Sequence, residues 1–245
     1  MIATPRRTFV LVHGAWQASW CWRDVAGLLA DLGHRAVPID LPGHGLDGTP
    51  LERITLHDYV DAIVAAVGGH EDPPILVGHS LGGVTMQAAE RLAGHLRAVV
   101  YVAATLPPNG RAMLDTIDGF DPAYLAQFVW ADDRRSARIS PQGAREYLFT
   151  LCAPGHVESI LPLLTAEPVG PFETPIWTTT ESLARVPAHY VECLRDRAVP
   201  IALQRSMYER AGLRRIHTLD TDHSPFFSAP RELVAVLNTI ALDGA

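Results

Sequence analysis

Six short, largely apolar runs at 8–12, 36–39, 75–77, 98–102, 189–193 and 216–219 are separated by segments with helical spacing. A run apolar on successive positions offers hydrophobic side chains to both faces of a strand, which suits the buried strands of a parallel sheet. Between them Val25, Leu28, Leu29 and Leu32, then Val60, Ile63, Val64 and Val67, then Leu81, Val84, Ala88 and Leu92, and last Leu233, Val236, Leu237 and Ile240 recur at intervals of three and four. Each set makes one apolar helix face. Alternation of this kind predicts an α/β fold, a mostly parallel sheet of about six strands flanked by helices, joined by right-handed crossovers. Ligands of such sheets gather at the carboxyl ends of the strands.

The rhythm breaks once, between about 106 and 186, where far more chain separates two strands than one crossover helix requires. Tyr124, Phe128, Trp130, Tyr147, Phe149, Phe172 and Trp177 lie there among prolines and short helical patterns such as 144–151. A long insertion hung from the functional edge of a sheet reads as a helical cap over a site. With no low-complexity linker in its 245 residues, the chain is expected to be a single domain, 1–245, that carries this insertion.

A net charge of -7 offers no attraction to nucleic acid or to an anionic membrane surface, so neither is expected as a partner. No run is long enough to span a bilayer, and residues 1–7 lack the apolar stretch of a secretory leader, so a cytoplasmic location is expected. Cys21, Cys152 and Cys193 fit neither a disulfide framework nor a zinc pattern, and read as buried thiols. Oligomeric state is open, with a homodimer among the alternatives.

Chemistry enters at Gly78-His79-Ser80-Leu81-Gly82, directly after the apolar run 75–77. A side chain held at the tip of a sharp strand-to-helix turn leaves no room for a Cβ two residues before it or two after, and glycine removes both clashes. Ser80 is therefore the candidate nucleophile. The free N–H of Leu81 at the start of the following helix is a candidate oxyanion donor. A second donor is expected in the loop after the first strand, His13-Gly14-Ala15, from the N–H of Ala15.

A serine hydroxyl needs a base, and His223 follows the last strand by a short turn, at the same sheet edge as Ser80. His79 adjoins Ser80, but neighbouring side chains at the turn should point apart; His13, His44 and His217 read as structural. A carboxylate should hold the His223 tautomer, and Asp196, just beyond the run 189–193, completes the order Ser, Asp, His. Asp222 is nearer in sequence but adjacent residues cannot easily supply both partner and base. Asp40 is expected to hydrogen-bond the backbone of the turn Pro42-Gly43-His44-Gly45.

Together Phe9-Val10-Leu11-Val12-His13-Gly14-Ala15-Trp16, Cys21-Trp22, Val77 to Gly83, the stretch 147–154 and Asp222-His223 resemble the α/β-hydrolase superfamily. More narrowly, they are similar to the plant methylesterase and hydroxynitrile lyase group and to bacterial carboxylesterases that include pyrethroid hydrolases. The resemblance implies Ser80, Asp196 and His223 as the catalytic set, with Ala15 and Leu81 as oxyanion donors. Trp130 and Leu148 match positions lining the acyl or alcohol pocket, with Phe128 and Phe226 as further substrate-binding candidates. The plant lyases carry a threonine after the first-strand histidine and a lysine after the catalytic histidine, where this chain has Gly14 and Ser224. Hydrolysis of small, largely apolar carboxylic esters through an acyl-enzyme is therefore the expected function, with no metal or organic cofactor. Two alternatives stand beside it: a lyase or cyclase that uses the same triad for acid and base chemistry, and a non-catalytic small-ligand binder.

Overall fold

The computed structural model describes residues 6–179, 181 and 185–243. β1 (Thr8–Val12), β2 (Arg35–Ile39), β3 (Ile75–His79) and β4 (Ala98–Val102) come first in the chain. An insertion with three short strands follows, β5 (Phe128–Trp130), β6 (Ser136–Ile139) and β7 (Glu167–Pro168), before β8 (Ala188–Cys193) and β9 (Arg215–Leu219). The main sheet has six strands in the order β2-β1-β3-β4-β8-β9, all parallel.

Side-chain alternation along these strands divides the core into two layers. Val10, Val12, Leu76, Val99 and Tyr101 face one side, where α2 (Leu56–Gly68) and α3 (Gly82–Arg91) cover them with Tyr59, Val60, Ile63 and Val84. Phe9, Leu11, Ile75, Val77, Val100 and Val102 face the other, against Val25 and Leu29 of α1 (Arg23–Asp31) and Leu233, Leu237 and Ile240 of the helix Pro230–Leu242. β3 and β4 are buried along their whole length, as strands apolar on both faces must be.

The chain leaves β1 for β2 on one side, then returns to place β3 on the other. Strand order thus reverses at β1, and a crevice opens between the carboxyl ends of β1 and β3. Register pairs Val12 with Gly78, so the loop after β1 and the turn after β3 emerge side by side.

The insertion is not purely helical, which corrects the expectation for 106–186. Its helices, among them Pro122–Leu125 and Pro154–Ile160, accompany the antiparallel sheet β5-β6-β7. Phe128-Val129-Trp130 is β-branched and aromatic, and the turn that follows it reaches φ +56° at Arg134. A three-residue strand has too little length for periodicity to distinguish it from a helical turn. No described helix is long and apolar enough to cross a membrane.

Candidate active site

Ser80 occupies the turn between β3 and α3 at φ +59°, a left-handed conformation that costs a non-glycine residue about 1–3 kcal/mol. Its backbone is held from both sides: the N–H donates to the Val102 carbonyl at 3.1 Å, and the Ser80 carbonyl accepts from the Thr105 N–H at 2.9 Å. Two glycines make the turn feasible. A Cβ on Gly78 would run into the Thr85 side chain of α3, 2.7 Å from its Cβ, and one on Gly14 would lie 2.9 Å from the Ser80 Cβ and 2.5 Å from His79 Nδ1. Those distances are closer than real Cβ atoms approach, so the sequence must leave both positions bare.

The structure brings Ser80, His223 and Asp196 into one hydrogen-bonded line. Ser80 Oγ lies 3.1 Å from His223 Nε2, and His223 Nδ1 lies 2.8 Å from Asp196 Oδ2. Asp196 is buried, and its other oxygen accepts from the Ala198 and Val199 N–H groups, each at 2.8 Å. Gln204 adds an amide N–H at 3.1 Å to Oδ2. Burial pushes the Asp196 carboxyl above its ordinary value, while His223 and the backbone donors oppose that rise. A carboxylate with four donors around it can hold its charge out of water only in such a setting.

The His79 ring makes no hydrogen bond with Ser80 among the described residues and has a different task. Its Nε2–H donates to the His223 carbonyl at 2.8 Å and so fastens the loop that carries the base. Burial, and then the charge of His223, push the His79 pKa well below its ordinary value, which keeps the ring neutral. Phe226 packs on this histidine, ring centroids 4.8 Å apart, and on Trp22 at 5.0 Å.

Above the line lies a cavity of about 810 Å³, its open mouth included. Ala15, Ser80 and Leu81 form its floor end, and Met113, Phe120, Tyr124, Phe128, Trp130 and Phe172 supply much of its wall. Phe128 and Trp130 are on the wall of the cavity that Ser80 also lines. Leu148 and Phe226 are not. Leu148 is buried in the interior of the insertion at the end of the π-helical segment Ala144–Leu148. Phe226 is turned by the short helix Pro225–Ser228 into the core layer on the opposite face of the sheet.

The two candidate oxyanion donors sit on the cavity. The Leu81 N–H, which the sequence led one to expect free, instead closes back on the His79 carbonyl in a γ-turn about Ser80, and no hydrogen bond among the described residues occupies the Ala15 N–H. Asp40 departs from expectation: it accepts the Ser19 N–H at 2.6 Å rather than one in the turn 42–45. Asp222 is engaged away from the base, accepting from the Leu151 N–H at 2.7 Å and the Ser228 hydroxyl at 2.6 Å. His13 donates from Nδ1 to the Gly14 carbonyl and accepts the Leu41 N–H on Nε2, and His217 meets His189 at 3.1 Å. Cys21 and Cys193 are buried and Cys152 is half-buried. No group of side chains among the described residues could hold a metal ion.

One buried carboxylate on the cavity wall escaped the sequence reading. Glu167, on β7, accepts from the Trp16 N–H and the Tyr59 hydroxyl, each at 2.9 Å, and lies 3.3 Å from His44 Nε2. A single acid before a proline carries no motif, and its partners lie 108 to 151 residues away along the chain. An acid amid apolar neighbours between Leu164 and Val169 is the signal that was there to be read.

Comparison with known proteins points the same way as the geometry. A family model described as the alpha/beta hydrolase family matches residues 9–236. Methylesterase 7 of Arabidopsis thaliana is 32% identical, with 96% of this chain and 96% of that protein covered. A pyrethroid hydrolase structure from Sphingobium faniae JZ-2 superposes with a TM-score of 0.87 at 26% identity, covering 98% of this chain and 99% of that one. Polyneuridine aldehyde esterase shares the fold, with a TM-score of 0.86 at 22% identity over 97% of this chain and 100% of its own.

Proposed function

Because the chain belongs to the alpha/beta hydrolase family, we propose that it is a serine carboxylic ester hydrolase acting on small, largely apolar esters through an acyl-enzyme. The observation that carries this reading is the continuous line Asp196–His223–Ser80 ending beneath an apolar cavity. The esterase names of the relatives support it.

In the proposed reaction His223 Nε2 takes the proton of Ser80 Oγ as the oxygen attacks the ester carbonyl, and Asp196 stabilises the imidazolium. The carbonyl oxygen becomes an oxyanion held by the N–H groups of Ala15 and Leu81, the latter exchanging the His79 carbonyl for the oxyanion, each worth about 3 kcal/mol if it acts as such donors do elsewhere. His223 then protonates the departing alkoxide. Water, deprotonated by the same nitrogen, attacks the acyl carbon, and collapse of the second oxyanion releases the acid and restores Ser80. The insertion 106–186 acts as the cap that shapes the acyl and alcohol subsites, with Phe128 and Trp130 as contacts for the substrate.

Hydrolysis is favoured over lyase chemistry because Ser224 follows the base and all 20 basic residues of the chain are arginine, none of them on the cavity wall. There is no lysine to receive a departing anion such as cyanide. Turnover of p-nitrophenyl butyrate and labelling by a fluorophosphonate test the reading. Ser80→Ala should lose about 10³ to 10⁶ in rate and all labelling. Near-normal turnover by that variant would sink the mechanism. Labelling without an acyl-enzyme burst on any ester would favour a lyase or cyclase. A small ligand that raises Tm with no turnover of a broad ester panel would favour a binder.

A further inference from the structure

Trp16 follows the candidate oxyanion residue and adopts φ +64°, a left-handed conformation that a bulky residue keeps only when its surroundings impose it. Besides the local turn bond from the Gln17 N–H to the Gly14 carbonyl at 3.4 Å, the groups that hold it come from the insertion. The Trp16 N–H donates to Glu167 Oε2 at 2.9 Å, its carbonyl accepts the Thr165 N–H at 2.9 Å, and its indole N–H donates to the Ala137 carbonyl at 3.0 Å. Glu167 is in turn fixed from below by the Tyr59 hydroxyl of α2 and by His44, whose Nδ1 meets the Thr165 hydroxyl at 3.2 Å.

Resting on the esterase reading, we propose that Glu167 is a positioning residue for the reaction: it pins the Trp16 N–H and thereby sets the peptide that orients the Ala15 oxyanion donor. The peptide between Ala15 and Trp16 is rigid, so fixing its N–H fixes its plane, and with it the ψ angle of Ala15 beside the donating N–H. A donor must stand at hydrogen-bond distance from where the oxyanion forms, not from the resting carbonyl, so a small rotation of that plane acts on the transition state more than on substrate binding.

The carboxylate charge matters here as well as its shape. His44 is faced by Glu167, His13, Asp40 and Tyr59. Burial lowers its pKa, but the charge and hydrogen bond of Glu167, with the Gln17 carbonyl and Asp40, outweigh burial and leave it raised. Glu167 and His44 lie 3.3 Å apart, sealed beneath the oxyanion loop, and a charged acceptor holds a backbone N–H more firmly than a neutral one.

The test compares wild type, Glu167→Gln and Tyr59→Phe with p-nitrophenyl butyrate and with an alkyl trifluoromethyl ketone. In the ketone complex Ser80 Oγ bonds to the ketone carbon, His223 takes the hydroxyl proton, and the ketone oxygen becomes the oxyanion. Glu167→Gln should lower kcat about 10- to 100-fold with KM within about threefold, weaken the trifluoromethyl ketone by a similar factor, and leave butyrate binding unchanged. Tyr59→Phe removes one bond that fixes Glu167 but leaves its bond to Trp16, so it should lower kcat by less than Glu167→Gln does at a comparable loss of Tm. Loss of kcat in both variants in proportion to Tm, or equal weakening of ketone and butyrate, would overturn the proposal as mere structural damage. If Glu167→Gln is recovered unfolded, Glu167→Asp, which keeps the charge and retracts the oxygens, carries the same readouts. A wild type that neither turns over the ester nor binds the ketone would instead refute the esterase reading itself.

Discussion

Asp196→Asn separates the orienting role of this carboxylate from its place in the packing, because the structure dictates which way the new amide must face. Oδ1 of Asp196 accepts two backbone N–H groups, from Ala198 and Val199, at 2.8 Å each. Those donors belong to the chain and cannot turn away, so the asparagine oxygen must take that side. The amide NH₂ then falls at Oδ2, opposite His223 Nδ1 and the Gln204 amide. Gln204 can yield, since its Nε2 also reaches the Val199 carbonyl at 2.7 Å. His223 cannot: facing a donor, Nδ1 must become the acceptor, which moves the ring proton to Nε2. That N–H then donates to Ser80 Oγ, 3.1 Å away, and can no longer take its proton. A wrong tautomer costs on the order of 10⁴ in kcat, about 5.5 kcal/mol of transition-state stabilisation. Stability should change little by comparison, because a charge that burial disfavours has been removed. The assay is kcat for p-nitrophenyl butyrate beside urea unfolding, with ¹⁵N shifts of the His223 ring reporting the tautomer. A variant that keeps more than a tenth of wild-type kcat, or whose ring proton stays on Nδ1, would refute the argument.

Gly78→Ala should lower stability by about 1–3 kcal/mol, because its Cβ would overlap the Thr85 side chain. Thr85→Ala alone should be close to neutral, since the Thr85 hydroxyl is buried without a hydrogen-bond partner among the described residues, and combined with Gly78→Ala it should recover part of the loss in urea unfolding. A second expectation concerns acid. Burial, and then the charge of His44, lower the His13 pKa from 6.5 to about 4, so between those values the unfolded chain binds a proton that the native ring refuses. Stability should therefore fall by about 3 kcal/mol from this residue as pH drops from 6.5 to 4. His79, also lowered, acts with the same sign, whereas His44, raised, contributes stability at low pH that is lost as pH rises through its native pKa. In His13→Gln the unfolding free energy should slope less steeply over pH 4–6.5; an unchanged slope would count against a neutral buried His13.

The main sheet was legible because strands buried on both faces cannot hide their composition. Residues 75–77 and 98–102 carry no polar side-chain group but the Tyr101 hydroxyl, and a strand buried on both faces suits such runs. The turn at Ser80 was legible for a steric reason, since the crowding that forbids a Cβ at Gly78 is local to the eight residues 78–85. Asp196 and His223 could be placed because position after a strand locates a side chain along the sheet edge, even when 27 residues separate the pair. The insertion obeys no such rule. Whether Phe128 or Leu148 meets the cavity depends on which face of a short element turns inward, and elements of three to five residues have no period to reveal it.

The same contrast explains why Glu167 was invisible while its effect reaches the most legible part of the chain. The loop His13-Gly14-Ala15-Trp16 announces the candidate oxyanion site by its small residues, yet they do not by themselves dictate the backbone angle at Trp16. Left to local preference, a tryptophan would take negative φ. The angle is held from 151 residues away by a carboxylate that lies 3.3 Å from His44, itself in the turn after β2. A strained backbone at a site is maintained only where the surrounding structure over-determines it, and here that surrounding structure is the insertion. The segment least constrained by sequence pattern is therefore the one that completes the geometry which the best-patterned segments begin.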